Sequence, residues 1–236
     1  MNNNKTVEKA DIMVITPHPD DAEFGVAGTA ARWIKEGKQI VYVVCTSGDK
    51  GTSDRSVKPK DLALIREQEQ QDAATLLGVR EVIFLRYKDQ KLEDNDDFRK
   101  KLVRLIRMYR PDTMVTDDPY RRYQYWHRDH MITARVALDA VFPYARDHLA
   151  YPDLLRAGIE PHKVKEVLLF HSDSPNIQFD ITKMFDLKLA ALRCHKSQVG
   201  NRDWHDLEKM LRAWAMEMAK GTDYELAEAF HRIEMW

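Results

Sequence analysis

DIMVITPHPDDAEFGVAGTAARWIKEGKQIVYVVCT, residues 11–46, decides the fold. Asp11 to Thr16 is a short apolar run stopped by Pro17, and Gln39 to Thr46 is a second one rich in β-branched residues; both read as buried strands. Between them, Gly25 to Gly37 reads as a helix ended by its glycine. A strand, a helix and a strand in that order imply two parallel strands joined by a right-handed crossover.

Working outward, the pattern repeats. Ser47 to Lys60 is polar and glycine-bearing, hence a loop; Asp61 to Leu77 has helical spacing with Gly78 as its stop, and Glu81 to Leu85 is the next strand. Asp97 to Tyr109 alternates apolar residues with Lys and Arg at helical period, and Asp112 to Thr116 follows as a fourth strand. A polar loop then leads into a helix from about His130 to Phe142. Val164 to His171 and Ile177 to Ile181 read as strands, Met184 to Cys194 and Asp203 to Lys220 as helices. Met210, Trp214, Met216 and Met218 are expected to pack a helix face. The alternation predicts an α/β fold, a doubly wound and mostly parallel sheet whose ligands sit outside the carboxyl ends of the strands.

Two clusters occupy such ends. Pro17-His18-Pro19-Asp20-Asp21-Ala22-Glu23 directly follows the first strand, and His127-Arg128-Asp129-His130 opens the helix after the fourth. His127 and His130 are three apart, which on one helical turn puts both rings on one side. Taken singly, His-Pro-Asp-Asp also suits a turn with an Asx cap, and the histidines a solvated helix start. Together the clusters offer two nitrogens and a carboxylate oxygen, the ligand set of a catalytic zinc that keeps a position open for water. The same ligands also suit iron or cobalt. Gly25 and Gly28 loosely suggest a nucleotide-binding turn, but two acids just before them would repel a pyrophosphate.

Composition narrows the function classes. With 44% hydrophobic residues, the 236-residue chain can bury a large core, and residues 1–236 are expected to form one domain. Lys+Arg of 37 against Asp+Glu of 38 gives no global basic field, so no nucleic-acid partner is expected. Cys45 and Cys194 form no CxxC pair, which argues against a disulfide framework and a thiolate zinc site and fits a reducing cytoplasm. The apolar run near the start is of strand length, too short for a signal segment or a membrane span.

Residues 17–29, PHPDDAEFGVAGT, resemble the opening motif of the LmbE-like N-acetylglucosaminyl-phosphatidylinositol de-N-acetylase family, also called PIG-L, and HRDH at 127–130 resembles its second motif. Arg66-Glu67, Gly78-Val79, Pro175-Asn176, Asp180-Ile181, His195 to Gln198 and Ala227 to Phe230 are similar to further family positions, in order along nearly the whole chain. The resemblance implies a Rossmann-like fold and a deacetylase of N-acetylated amino sugars, N-acetylglucosamine among them, and their conjugates; family members are often homo-oligomers. It implies His18, Asp21 and His130 as zinc ligands and Asp20 as the general base. His127 is implied as the imidazole assisting the tetrahedral intermediate, and Asp129 as a carboxylate orienting a neighbouring imidazole. Arg66 matches a position near the substrate and Tyr125 one where some relatives place a tyrosine hydroxyl near the carbonyl oxygen; His195, grouped with them as substrate-binding, reads as a site wall or proton carrier, or else as a satisfied core histidine. The segment 120–126, YRRYQYW, departs from the family's usual pattern with two arginines and four aromatics, which leaves the sugar and the acyl group of the substrate open. An amidase on a thiol-sugar conjugate or other N-acyl compound, and a non-catalytic metal- or sugar-binding protein, are the competing expectations.

Overall fold

Apolar runs flanked by amphipathic helices dictate a layered molecule, because a strand buried on both faces needs cover on both. The computed structural model describes residues 9–122 and 127–236. Its strands are β1 (Ile12–Thr16), β2 (Ile40–Thr46), β3 (Glu81–Tyr87), β4 (Thr113–Asp117), β5 (Glu166–Phe170), β6 (Ile177–Asp180) and β7 (Ala227–Glu234). They form one seven-stranded sheet in the order β3-β2-β1-β4-β5-β7-β6. The first five pair in parallel, whereas β7 runs antiparallel to both β5 and β6. The expected mostly parallel sheet is therefore present, and β1 lies between β2 and β4, the point where strand order reverses.

Alternating side chains of β1 and β2 serve two cores. Met13, Ile15, Val41 and Val43 face one layer with Phe98, Leu102 and Ile106 of α4 (Asp96–Tyr109) and Val136 of α5 (Arg128–Asp139). Ile12, Val14, Ile40 and Tyr42 face the other, with Ala27, Ala30 and Ala31 and with Ala73, Ala74 and Leu77 of α3 (Pro59–Leu77). Gly78 at φ 85 ends α3 in the left-handed conformation that glycine adopts freely. Among the described residues, no helix is long and apolar enough to cross a membrane.

Several boundaries differ from the sequence-based expectations. The helix expected over 25–37 is two, α1 (Asp21–Gly25) and α2 (Ala27–Lys35), broken at Val26 with φ −141 and ψ −1. A Cβ on Gly25 would lie 2.5 Å from the Phe170 ring, so glycine permits the close seating of this break on β5. The helix expected over 130–142 starts at Arg128, with His127 as its cap, and gives way after Asp139 to an irregular turn where Phe142 is extended. The remaining helices are α6 (Pro152–Arg156), α7 (Phe185–Arg193), α8 (Lys196–Val199) and α9 (Trp204–Met218). On α9 the buried face is Leu207, Leu211 and Ala215. Met210 and Met216 are instead exposed, and Trp214, partly exposed, packs on His171 outside that face, because the sequence cannot say which of two apolar stripes meets the core.

α2 has no side-chain cap of its own. Its free backbone N–H groups at Gly28 and Thr29 donate to Glu228 of β7, at 3.1 and 2.7 Å, where a carboxylate also complements the positive helix end. The Lys188 ammonium of α7 pairs with the same carboxylate at 2.5 Å and donates to the Phe24 carbonyl. Removing one member of such a buried pair strands the other. Glu228→Ala is expected to lower unfolding stability by about 3–5 kcal/mol, measured by urea denaturation; a loss below about 1 kcal/mol would contradict this role.

Candidate active site

Pro17 ends β1, and the chain turns into α1 through Asp20, whose φ of 100 is unusual for a residue with a side chain. Strain of this kind costs of order 1–3 kcal/mol and persists only where neighbours enforce it. Here Gln70 of α3 accepts from the Asp20 backbone N–H at 3.0 Å, and Arg66 donates to the Pro19 carbonyl at 2.5 Å. The same guanidinium bonds the Gly48 carbonyl at 3.1 Å and lies 3.3 Å from the Asp20 carboxylate. Gly48 and Gly51 leave no room for a Cβ beside it. The turn is thus clamped from the loop after β2 and from α3.

The clamp aims the first cluster at the second. Asp21 Oδ2 lies 3.2 Å from His18 Nδ1 and accepts from the His18 backbone N–H at 2.8 Å. Asp21 Oδ1 lies 3.5 Å from His130 Nε2. The His18 and His130 rings are 5.2 Å apart at their centroids, and His18 and His127 are 4.6 Å apart. Donor atoms of His18, His127 and His130 lie within 4.8 Å of one another, and so do donors of His18, Asp89, His127 and Asp129.

These spacings suit a cation. A tetrahedron built on bonds of 2.0–2.2 Å has edges of roughly 3.3–3.6 Å, close to the two Asp21 contacts. Charge points the same way, because Asp20, Asp21, Asp89, Asp117 and Asp129 surround the site with Arg66 as the guanidinium among them. Asp89 Oδ1 lies 3.3 Å from His18 Nε2, and Asp129 Oδ1 is buried without a hydrogen-bond partner among the described residues. The structure thus contains a His/Asp group fit for a divalent metal.

Electrostatics separates the two adjacent aspartates. Burial pushes the Asp20 carboxyl up to about 6, assisted by Asp21 and opposed by Arg66. Burial also opposes charge on Asp21, yet His130 and His18 hold its carboxyl well below the usual range. Burial disfavours the His18 cation too, but hydrogen bonds to Asp129, Asp21 and Asp89 lift it above the ordinary imidazole value. His127 goes the other way, lowered by burial and by the neighbouring imidazoles. It caps α5, its Nδ1 accepting the Asp129 backbone N–H at 3.2 Å. The neutral ring therefore carries its proton on Nε2, which lies 3.8 Å from Asp89 Oδ1.

The other expected residues fall in different places. Asp129 is fully buried, 3.3 Å from His18 Nε2, and its Oδ2 accepts from the Gln90 backbone N–H at 2.7 Å; the imidazole it faces is that of His18. Arg66 is 4% exposed, and its bonds to the Pro19 and Gly48 carbonyls and its pairing with Asp20 support the turn. His195 is fully buried, with Nε2 3.0 Å from Glu23. Glu23 in turn accepts from Gln70 at 3.0 Å, so His195 braces the wall behind Asp20 and presents no ring surface to a ligand. Tyr125 lies outside the described residues. Asp89, Asp117 and His171 belong to the site and were not singled out from sequence; the signal that marks the first two is an acid at or just past the end of a parallel strand.

Several known proteins are similar to this chain. The family model described as GlcNAc-PI de-N-acetylase, PIG-L, matches residues 13–141. The diacetylchitobiose deacetylase of Thermococcus kodakarensis is 33% identical over 222 residues, 94% of this chain and 82% of that protein. The structure of N,N'-diacetylchitobiose deacetylase from Pyrococcus horikoshii superposes with a TM-score of 0.90 at 31% identity, covering 98% of this chain and 85% of that one. The 4-carboxy-2-hydroxymuconate hydratase GalB from Pseudomonas putida has the same fold, with a TM-score of 0.77 at 19% identity and 97% of each chain covered.

The buried Glu23–His195 pair predicts a pH signature. Burial opposes charge on His195, but Glu23 raises its pKa above the ordinary value. A raised imidazole contributes stability that is full below its unfolded value of about 6.5 and lost as pH rises through the folded value. In the metal-free protein, the denaturant midpoint difference between wild type and His195→Gln should shrink as pH rises above about 6.5. A difference that stays constant or grows would refute the pairing.

Proposed function

Because the chain belongs to the GlcNAc-PI de-N-acetylase (PIG-L) family, we propose that it is a zinc-dependent hydrolase removing the N-acetyl group from an amino sugar or its conjugate. The observation that carries this is a second carboxylate, Asp20, which pairs with Arg66 at 3.3 Å and is held next to Asp21 of the His18–Asp21–His130 group by its own clamp. A binding protein has no use for a strained second acid that the metal does not need. The whole chain acts as one deacetylase domain, in a cytoplasm that keeps Cys45 and Cys194 as the free thiols they are here.

In this reading His18 Nδ1, Asp21 and His130 Nε2 would hold the zinc. Zinc bound there supplies Lewis acidity, lowering the pKa of a water from about 16 to about 7. Asp20 takes the proton of the attacking water, for which a carboxyl near 6 is suited, being ionised at neutral pH yet basic enough to accept. His127 points Nε2–H at the carbonyl oxygen as charge gathers on it, and a preformed donor in a partly dry site is worth more than one in water. The C–N bond then breaks, the amine leaves with the proton relayed from Asp20, and acetate remains. Asp129 fixes the His18 ring so that Nδ1 faces the cation. The similarity to two diacetylchitobiose deacetylases supports N-acetylated glucosamine sugars as the substrate class.

Two sets of variants test the assignment with N,N'-diacetylchitobiose and N-acetylglucosamine, free amine being the assay. Asp20→Asn should lower kcat by about 10²–10⁴-fold with zinc content unchanged; full activity would remove the base from that residue. His18→Ala and His130→Ala should lose the metal together with turnover, measured by elemental analysis, and retention of stoichiometric zinc by both would sink the ligand assignment.

A further inference from the structure

β4 and β5 pair in parallel with Asp117 opposite Phe170, so the residues at their carboxyl ends emerge side by side. His171, the first residue after β5, has φ 57, and this left-handed turn carries its ring toward β4. Its Nδ1 lies 3.1 Å from Asp117 Oδ1. The second oxygen, Oδ2, lies 3.0 Å from His130 Nδ1. One carboxylate, 2% exposed, therefore spans two imidazoles. The far side of the His171 ring is fixed from α9, where Trp214 stacks on it with centroids 5.2 Å apart and planes 21° apart. The reaction outlined above uses none of Asp117, His171 and Trp214.

The geometry points to Asp117 and His171 as positioning residues for the metal ligand His130. A carboxylate only accepts hydrogen bonds, and a neutral imidazole has one donor and one acceptor nitrogen. Asp117 therefore places the proton of His130 on Nδ1 and leaves the lone pair on Nε2, the atom that faces Asp21. Its negative charge also raises the basicity of the ring as a ligand. His171 donates to the other oxygen and stops the carboxylate from rotating away, and the Trp214 stack keeps His171 in place. The left-handed backbone at His171 is the local strain accepted for this contact. His18 is served in the same manner by Asp129, so each imidazole of the proposed site has its own buried carboxylate behind it.

This inference rests on the metal site of the proposed function, and its test separates the two. Zinc affinity is measured by chelator competition on wild type, Asp117→Asn, His171→Ala and His171→Gln, with melting curves of the metal-free proteins and visible spectra of the cobalt forms. An amide at 117 has no charge and can offer its NH₂ to Nδ1, which lets His130 move its proton to Nε2. Asp117→Asn should lose about 10–100-fold in zinc affinity and shift the cobalt bands, with a metal-free melting curve close to wild type. His171→Ala should lose several-fold, and His171→Gln, which retains a donor, should recover most of it. Wild-type affinity and an unchanged cobalt spectrum in Asp117→Asn would overturn the role of Asp117; undiminished affinity in His171→Ala would overturn that of His171. A wild type that takes up no zinc would remove the metal site itself, and this inference with it.

Discussion

A single carboxylate, Asp21, reaches His18 at 3.2 Å and His130 at 3.5 Å, and the rest of the structure is arranged so that these contacts exist. The two histidines come from opposite ends of the family-matched half of the chain. They meet because β1 and β4 are neighbours at the reversal of strand order, so the turn after β1 and the helix after β4 open onto one crevice. The two hydrophobic layers serve this end by fixing the register of β1 against β4, where Ile12 to Val14 match Thr113 to Val115.

Collecting Asp20, Asp21, Asp89, Asp117 and Asp129 in one partly buried place is unfavourable unless each carboxylate is compensated. Short helices supply part of the answer: Asp21 lies in the first turn of α1 and Asp129 in that of α5, where free N–H groups favour negative charge. Imidazoles supply another part, and Arg66 restrains Asp20. The remaining excess of negative charge is what a divalent cation would neutralise. The metal site and the fold's stability are therefore linked through the same groups, since a bound ion stabilises the folded state by mass action.

Much of this was legible in the sequence, for a physical reason. Buried parallel strands are continuous apolar runs, and 12–16, 40–46 and 113–117 stand out as such between amphipathic segments, so the sheet and its crevice could be read directly. His18, Asp20, Asp21, His127, Asp129 and His130 could be picked out because they cluster along the chain. Asp89, Asp117 and His171 stand among other polar residues at or after strand ends and form no cluster of their own along the chain, and only strand register brings them together. Arg66 and His195 were legible as positions, and what the structure adds is their partners: Arg66 bonds the Pro19 and Gly48 carbonyls, and His195 pairs with Glu23, in keeping with the wall or core reading of that histidine. The strand β7 was missed since its eight residues mix Glu, His and Arg with apolar positions, as an antiparallel strand near a sheet edge does.

The shared architecture of this chain and a hydratase at 19% identity shows that the sheet alone does not set the chemistry; the side chains at its carboxyl edge do. The most direct test of the account is a zinc-edge anomalous diffraction map of the zinc-loaded crystal. It should show one strong peak about 2.0–2.2 Å from His18 Nδ1, an Asp21 oxygen and His130 Nε2, with Asp20 beside it and not bound. A principal peak away from this trio, or none at full zinc loading, would contradict the account at its centre.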